Sequence, residues 1–480
     1  MMMKSREAIA FYINNERFEI TGEQCFLPLA DFLRYERSLT GTKIVCAEGD
    51  CGACTVLVAS VQELEGQKFN FRSVNSCILP LLALDGCQIV SVEGLRREHE
   101  LHPVQKSMIE NFGSQCGYCT PGFVCAMTSL LEDSILQKKT ITEKRAKNYM
   151  TGNLCRCTGY DPIIKAAVAL PLDSETLRER FSDPQRIADL KKIVKLPISI
   201  QSESYSVFLP TTIEQAIALK HKYPKICVVA GATDLGVAVN KGRSSYQQVM
   251  SLQNISSLWN IKKAKNYFEI PARVSLASLH KYFEKNYPEM VRMLNVFASP
   301  QIKNSATLVG NVVNASPIAD TIPFLMVQDA SVEVRSVKGS RLIPINEFYL
   351  GYKKLNLKPN EIVISIRLPF ATSEEISKLY KVSLRKDLDI AAVTLAARFR
   401  LKEKNITEAR IAFGGVGPVV LRLKSVEEKW VGRKFDKSLF SDLAQEISQH
   451  VTPLSDVRGS KEYRLLLCRN LLLKMADDIL

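Results

Sequence analysis

Apolar and polar positions alternate over residues 8–20, 53–61 and 88–92, the period expected of strands with one buried face. That pattern predicts a small strand-rich unit at the start of the chain. Over residues 103–130 and 142–148 the spacing lengthens to the helical period, and Thr120-Pro121 and Thr142…Arg145 have the form of helix starts. A second, mainly helical unit is expected there. Between Leu172 and Ser204 the chain turns charged and carries Pro184 and Pro197, which marks a linker. Beyond it, a short buried-type strand at residues 226–229 runs into Ala230-Gly231-Ala232-Thr233-Asp234. Strand patterns at 330–335, 361–368 and 391–400, with a helical stretch at 439–480, complete a multidomain α+β chain. No solenoid repeat and no low-complexity tract interrupts it.

Composition narrows the classes. At 480 residues with 46% apolar content the chain can bury several cores, roughly three domains by length, and is not disordered. Residues 1–16 mix Lys4, Arg6 and Glu7 with short apolar groups, so neither a signal peptide nor a membrane span is expected, and a cytoplasmic location follows. The formal charge of +14 is scattered rather than blocked and accompanies no nucleic-acid recognition motif. A solvated basic surface is the simpler reading.

Eight of the thirteen cysteines fall into two quartets. Cys46, Cys51, Cys54 and Cys77 have the Cys-x4-Cys-x2-Cys…Cys spacing of a plant-type ferredoxin. Three thiolates from one nine-residue loop converge only if the backbone turns tightly, and Gly49 and Gly52 permit the positive φ this needs. Cys116 and Cys119, three apart at an expected helix N-terminus, place both sulfurs on one helix face; Cys155 and Cys157 suit an extended turn flanked by Gly152 and Gly159. Zinc also accepts cysteine quartets, through paired Cys-x2-Cys knuckles, so spacing favours iron in the first and leaves zinc as the alternative in the second. Cys25, Cys87, Cys125, Cys227 and Cys468 show no ligand spacing and read as buried small hydrophobes.

Gln115 to Phe123 (QCGYCTPGF) together with Gly152 to Tyr160 (GNLCRCTGY) resembles the second cluster domain of the xanthine dehydrogenase and aldehyde oxidase family of molybdenum hydroxylases. The first quartet is similar to that family's N-terminal ferredoxin-like domain. The resemblance implies a 2Fe-2S cluster in each quartet, and Gln115 reaching the molybdopterin of a partner rather than serving as a helix-capping amide. Tyr118 stands where the family commonly has Phe, and Asp161 where Arg is usual.

No GxGxxG opens a βαβ unit, and Gly414-Gly415-Val416-Gly417 reads as a turn between strands, so a Rossmann nucleotide site is not supported. The small-residue loop Val229 to Gly236 follows a strand and could present backbone N–H groups to a pyrophosphate. It and residues 307–320 resemble the two FAD-binding segments of the family's flavin domain. The resemblance places Ala230, Gly231, Ala232, Thr233, Asp234 and Leu235 at the pyrophosphate and Phe297 against the flavin or adenine. Thr307, Gly310, Asn311 and Asp320 become hydrogen-bonding contacts, Lys381 a further FAD contact, and Val363 a packing neighbour. Val309 replaces a frequent glycine, and residues 381–391 are similar to the segment beside the flavin's reactive face.

Similarity runs over nearly the whole chain. It implies a β-grasp ferredoxin-like 2Fe-2S domain at 1–94, a helical-bundle 2Fe-2S domain at 95–171 and a linker at 172–200. An FAD-binding domain of the vanillyl-alcohol oxidase/p-cresol methylhydroxylase type at 201–372 and a C-terminal CO-dehydrogenase-flavoprotein-like subdomain at 376–480 follow. The function implied is that of an electron-transfer small subunit of xanthine dehydrogenase type. Its partner would be a large molybdenum-binding subunit, since 480 residues leave no room for a molybdopterin region. Hypoxanthine or xanthine is hydroxylated on the partner, electrons pass through the two clusters to FAD and then NAD+, and a dimer of heterodimers is expected. Two alternatives stand beside it: the equivalent chain of an aldehyde, nicotinate or aromatic hydroxylase, and a free-standing ferredoxin-like carrier.

Overall fold

A computed structural model describes residues 5–480; Met1 to Lys4, part of the N-terminal stretch considered above, lie outside the described residues. The chain forms two units, one of residues 1–259 with 299–306 and one of 260–298 with 307–480.

The first unit begins with strands β1 (Ile9–Ile13), β2 (Glu16–Ile20), β3 (Thr55–Ser60), β4 (Arg72–Asn75) and β5 (Cys87–Val90), ordered β2-β1-β5-β3-β4. The β1–β2 hairpin is antiparallel and β1 runs parallel to β5, so the expected alternation is realised as a mixed sheet with Ile9, Phe11 and Ile13 buried on one side. Helices Pro103–Glu110, Thr120–Gln137, Glu143–Met150 and Asp161–Val168 follow. Thr142 accepts the Arg145 N–H as predicted, but the single helical run expected over 103–130 is broken at 111–119. Gly117 there adopts φ +81°, outside the helical range.

The charged segment 172–200 is not an open tether. It forms helices Leu177–Phe181 and Pro184–Ile193, whose Leu177, Phe181, Ile187 and Leu190 enter the same core as Leu57, Phe71 and Phe123. Pro184 starts a helix instead of breaking one, the position where its missing N–H costs nothing. Buried Glu132 accepts the N–H groups of Leu177 (2.6 Å) and Arg178 (3.3 Å), and burial pushes its pKa up to about 7. A second sheet, β6 (Ile198–Gln201), β7 (Ser206–Leu209), β8 (Cys227–Val229) and β9 (Gln248–Ser251), has the order β6-β7-β9-β8, with β7, β9 and β8 parallel.

The second unit holds β10 (Lys262–Lys263), β11 (Tyr267–Pro271), β12 (Ser331–Ser336), β13 (Gly339–Pro344), the ribbon β14 (Tyr349–Gly351) and β15 (Lys354–Leu355), and β16 (Ile362–Pro369). Its larger antiparallel sheet is ordered β10-β11-β16-β12-β13. Strands β17 (Glu375–Val382), β18 (Val393–Lys402), β19 (Asn405–Gly414) and β20 (Leu421–Arg422) make a separate antiparallel sheet. Helices Lys437–His450 and Lys461–Ile479 cover it, and Phe399, Phe413, Trp430, Phe440 and Leu472 fill the core between. Among the described residues no helix is long and apolar enough to cross a membrane.

His102 caps helix Pro103–Glu110: its Nδ1 accepts the Val104 N–H (3.3 Å), while Gln105 accepts the His102 N–H. Burial, with the Arg180 charge adding to it, depresses its pKa to about 4 from 6.5. The neutral ring therefore stabilises the fold above pH 6.5, and that contribution, about 3 kcal/mol, is lost as pH falls from 6.5 through 4. Urea denaturation at stepped pH should show this loss, and His102→Asn, which keeps a capping acceptor but cannot titrate, should flatten the profile in that window.

Candidate cluster and flavin sites

Cys46, Cys51 and Cys54 lie on the loop before β3, and Cys77 on a 3-10 turn after β4. Gly49 and Gly52 have φ of +82° and +68°, as the spacing requires. Their lack of a side chain also serves packing: a Cβ on Gly52 would fall 2.2 Å from the Gly152 carbonyl oxygen. The four thiols act on one another: the neighbouring Cys51 and Cys77 thiols hold Cys46 below the usual thiol range and Cys77 does the same for Cys54, while Cys51 and Cys77 are themselves pushed up. Buried Asn75 adds a weak N–H donor 3.8 Å from Cys54 Sγ. A quartet of mutually reachable soft thiolates fits a 2Fe-2S centre, and loading it must release the shared protons.

The second quartet meets as pairs, Cys157 Sγ lying 3.5 Å from Cys116 Sγ and Cys119 hydrogen-bonding Cys155. Cys119 sits at the N-cap of helix Thr120–Gln137, but Cys116 precedes the helix, on the turn made by Gly117, so the two do not share a helix face as expected. Gly159 adopts φ +67° in open space, whereas Gly152 has Gln301 Oε1 only 2.1 Å from where its Cβ would be. Gln115 is exposed on the preceding loop, before the helix that starts at Thr120, and the N-cap residue Cys119 makes no side-chain cap bond. Tyr118, the departure from Phe, donates its hydroxyl to the Ile44 carbonyl (3.3 Å), two residues before Cys46. Asp161 is exposed and pairs with Lys165 (2.8 Å) one helical turn on.

The two quartets are back to back. The Leu154 N–H donates to the Cys51 carbonyl (3.0 Å), so residues adjoining or belonging to both clusters share one hydrogen bond. Beside it lies a node absent from the sequence reading: Asn153 donates to the Gly52 carbonyl (3.0 Å), and Gln301 donates to Asn153 Oδ1 (2.7 Å) and Thr55 Oγ1 (3.3 Å). All three side chains are at most 2% exposed. The only sequence signal was an amide inside the Gly-Asn-Leu-Cys stretch; Gln301 carried none. Of the other cysteines, Cys25, Cys87, Cys125 and Cys468 are buried, and Cys227 is only partly so.

The flavin candidates divide between the units. In the first, Ala230 to Leu235 form the turn from β8 into helix Thr233–Asn240, with Ala232 left-handed at the N-cap (φ 60°) and no capping side chain. Gly231 abuts the Ser305 carbonyl, 2.2 Å from where its Cβ would lie. A small-residue turn into an uncapped helix fits a pyrophosphate. In the second unit, Thr307 caps helix Leu308–Asn314 by accepting the Gly310 N–H (3.0 Å), with Val309 buried in that helix. Asn311 accepts from Thr321 (2.5 Å). Asp320 and Lys381, 5% and 4% exposed, form an ion pair at 2.8 Å; Thr394 donates to Asp320, and the Phe297 ring lies 5.6 Å from the ammonium. Burial raises the Asp320 pKa against the opposing pull of Lys381. Val363 is buried in β16 opposite Val334.

Four family models match in chain order: a 2Fe-2S iron-sulfur cluster binding domain at 11–82, a 2Fe-2S binding domain at 91–168, the FAD binding domain in molybdopterin dehydrogenase at 203–371, and the CO dehydrogenase flavoprotein C-terminal domain at 378–479. The chain thus carries two 2Fe-2S domains followed by an FAD-binding domain of the molybdopterin dehydrogenase type. Xanthine dehydrogenase 1 of Arabidopsis thaliana is 30% identical over 93% of this chain and 38% of its own, and xanthine dehydrogenase of Emericella nidulans 29% over 89% and 35%. The chain thus spans under two fifths of these relatives' length. A carbon monoxide dehydrogenase chain from Hydrogenophaga pseudoflava shares the fold over 57% of this chain and 96% of its own, with a TM-score of 0.54 and 20% identity. Each quartet therefore falls within a matched 2Fe-2S domain, which favours iron over zinc at the second as at the first, and the chain carries an FAD-binding domain.

Gly52→Ala should cost iron at both sites, because its Cβ meets the backbone of the second loop, whereas Gly159→Ala, under the same backbone strain at φ +67° but with open space around it, should keep close to four irons per chain. Iron analysis and electron paramagnetic resonance of the reduced proteins distinguish the two outcomes.

Proposed function

We propose that this chain is the iron-sulfur and flavin subunit of an oxidoreductase of xanthine dehydrogenase type. A large molybdopterin-bearing partner hydroxylates hypoxanthine or xanthine, and two such pairs assemble as a dimer of heterodimers, a reading supported by the match to 96% of the carbon monoxide dehydrogenase chain. The observation that carries the reading is the direct Leu154–Cys51 hydrogen bond between the two cluster loops, next to a flavin-type turn in the same unit. When bound, the clusters supply one-electron steps and FAD the conversion of those steps into the hydride that NAD+ accepts. The residues' own part is to hold these groups: eight thiolates fix the clusters, and the Cys51–Gly52 backbone keeps the loops in register. In the other unit, buried Asp320 holds Lys381 at the segment assigned to FAD.

The xanthine preference rests on the names of the relatives, and the acceptor on the same ground. Co-purification from the native source with metal, flavin and pterin analysis tests the assignment. The expected result is this chain with a molybdenum-bearing partner, about four irons and one FAD, xanthine-dependent NAD+ reduction, and NADH-to-dye turnover by this chain. Isolation alone without flavin would support the carrier alternative. Lys381→Met leaves Asp320 buried without its partner and should lower FAD content while both clusters keep their iron.

A further inference from the structure

Helix Thr233–Asn240 leaves the flavin turn at one end and meets the first cluster loop along the rest of its length. Gly236 packs so closely on Ile78, the residue after the ligand Cys77, that a Cβ would lie 2.1 Å from the Ile78 carbonyl oxygen. Val237 joins the small core of Ala30, Cys54, Cys77 and Ile78. At the helix end, the Asn240 side-chain amide donates to two carbonyls, Ala47 (2.8 Å) and Cys77 (2.7 Å). Ala47 follows the ligand Cys46 and is held in the left-handed region, φ 54°. Next along, Lys241 pairs with Glu48 (2.6 Å). One amide thus staples the segments of two of the four ligands, from a helix whose opposite end is the flavin turn.

We propose that Asn240 and Gly236 are positioning residues that make this helix a rigid link between the flavin turn and the first cluster, so that occupancy of either site is felt at the other. Neither residue contacts a cluster thiol, and the proposal rests on the assignment of residues 230–235 to FAD. A helix of this length has no internal joint, and an amide bridging two carbonyls has no equivalent in alanine. Coupling of this kind is reciprocal.

Asn240→Ala and Gly236→Ala test it, the first removing both hydrogen bonds and the second forcing the helix off Ile78. Each should change the electron paramagnetic resonance g-values and midpoint potential of the first cluster and leave those of the second unchanged. Fluorimetric FAD titration of flavin-stripped protein should show about a tenfold weaker dissociation constant for both variants, and a similar weakening for Cys77→Ser, which disrupts the cluster from its own side. Lowered thermal stability with an unmoved first-cluster spectrum and unmoved FAD affinity would overturn the proposal. Wild-type protein that binds no FAD would instead overturn the reading beneath it.

Discussion

The first unit depends on what is done with two consecutive carbonyls, those of Cys51 and Gly52. The first accepts the Leu154 N–H, and the second accepts from Asn153 and from the Thr55 hydroxyl (2.6 Å). A loop bent sharply enough to bring three thiols together turns its carbonyls outward, and buried carbonyls without partners are costly, about 1–3 kcal/mol each. The second cluster loop supplies those partners. Each loop therefore completes the other's backbone bonding, and neither site is independent of its neighbour. Gly52 is where the demands coincide, since it must adopt φ +68° and also leave room for the Gly152 carbonyl.

Those features with a local chemical cause were legible in the sequence. Cysteine spacing pointed to the two thiol groupings, Gly49, Gly52 and Gly159 to the tight turns, and Thr142 to the helix start, because each depends largely on nearby residues. What escaped depends on distant partners. Asn153, Gln301 and Asn240 act through amide bonds to carbonyls reached across 101, 148 and 193 positions, and a lone Asn or Gln has no periodicity to betray it. The segment 172–200 misled for a related reason: its charges suggested solvent, yet Leu177, Phe181, Ile187 and Leu190 form a sparse apolar stripe that only the neighbouring core makes meaningful. Cys116 was set on a helix because its three-residue spacing from Cys119 matches a helical turn, whereas the helix begins only at Thr120, as Thr120-Pro121 suggested, and Gly117 turns the chain before it.

The second unit meets a different constraint, that of charge held away from water. Asp329 receives Arg398 (2.9 Å), Arg410 (3.0 Å) and Arg422 (3.2 Å), and Glu375, Glu408 and Glu427 engage the same guanidinium groups. Three arginines around one carboxylate hold Asp329 below the usual carboxylate range despite its burial. The pair Lys381–Asp320 follows the same rule with a single cation and accordingly less compensation, so burial still raises the Asp320 pKa. Such a pair is a poor source of stability but a firm geometric constraint, since removing either member strands the other. That is the behaviour wanted of groups lining a cofactor segment.

The two cluster sites also differ in their access to water, and this supports a direction of use. Each quartet has two half-buried cysteines, but Cys54 and Cys77 are 2% and 3% exposed while Cys116 and Cys157 are exposed, as are Phe112, Tyr118 and Leu154 in the flanking sequence. A redox centre walled by protein exchanges electrons through its own chain; one reached by solvent can also be reached by another molecule. Sequence order agrees with this division, for the helix stapled to the enclosed site is the one that begins at the flavin turn. Apolar side chains around an open thiolate pair lower the local dielectric only when something covers them, so the potential of a cluster held there would respond to any molecule that covered it. The first quartet, with Cys54 and Cys77 buried and Cys46 and Cys51 half-buried, draws most of its surroundings from its own unit and leaves less for a docked molecule to change.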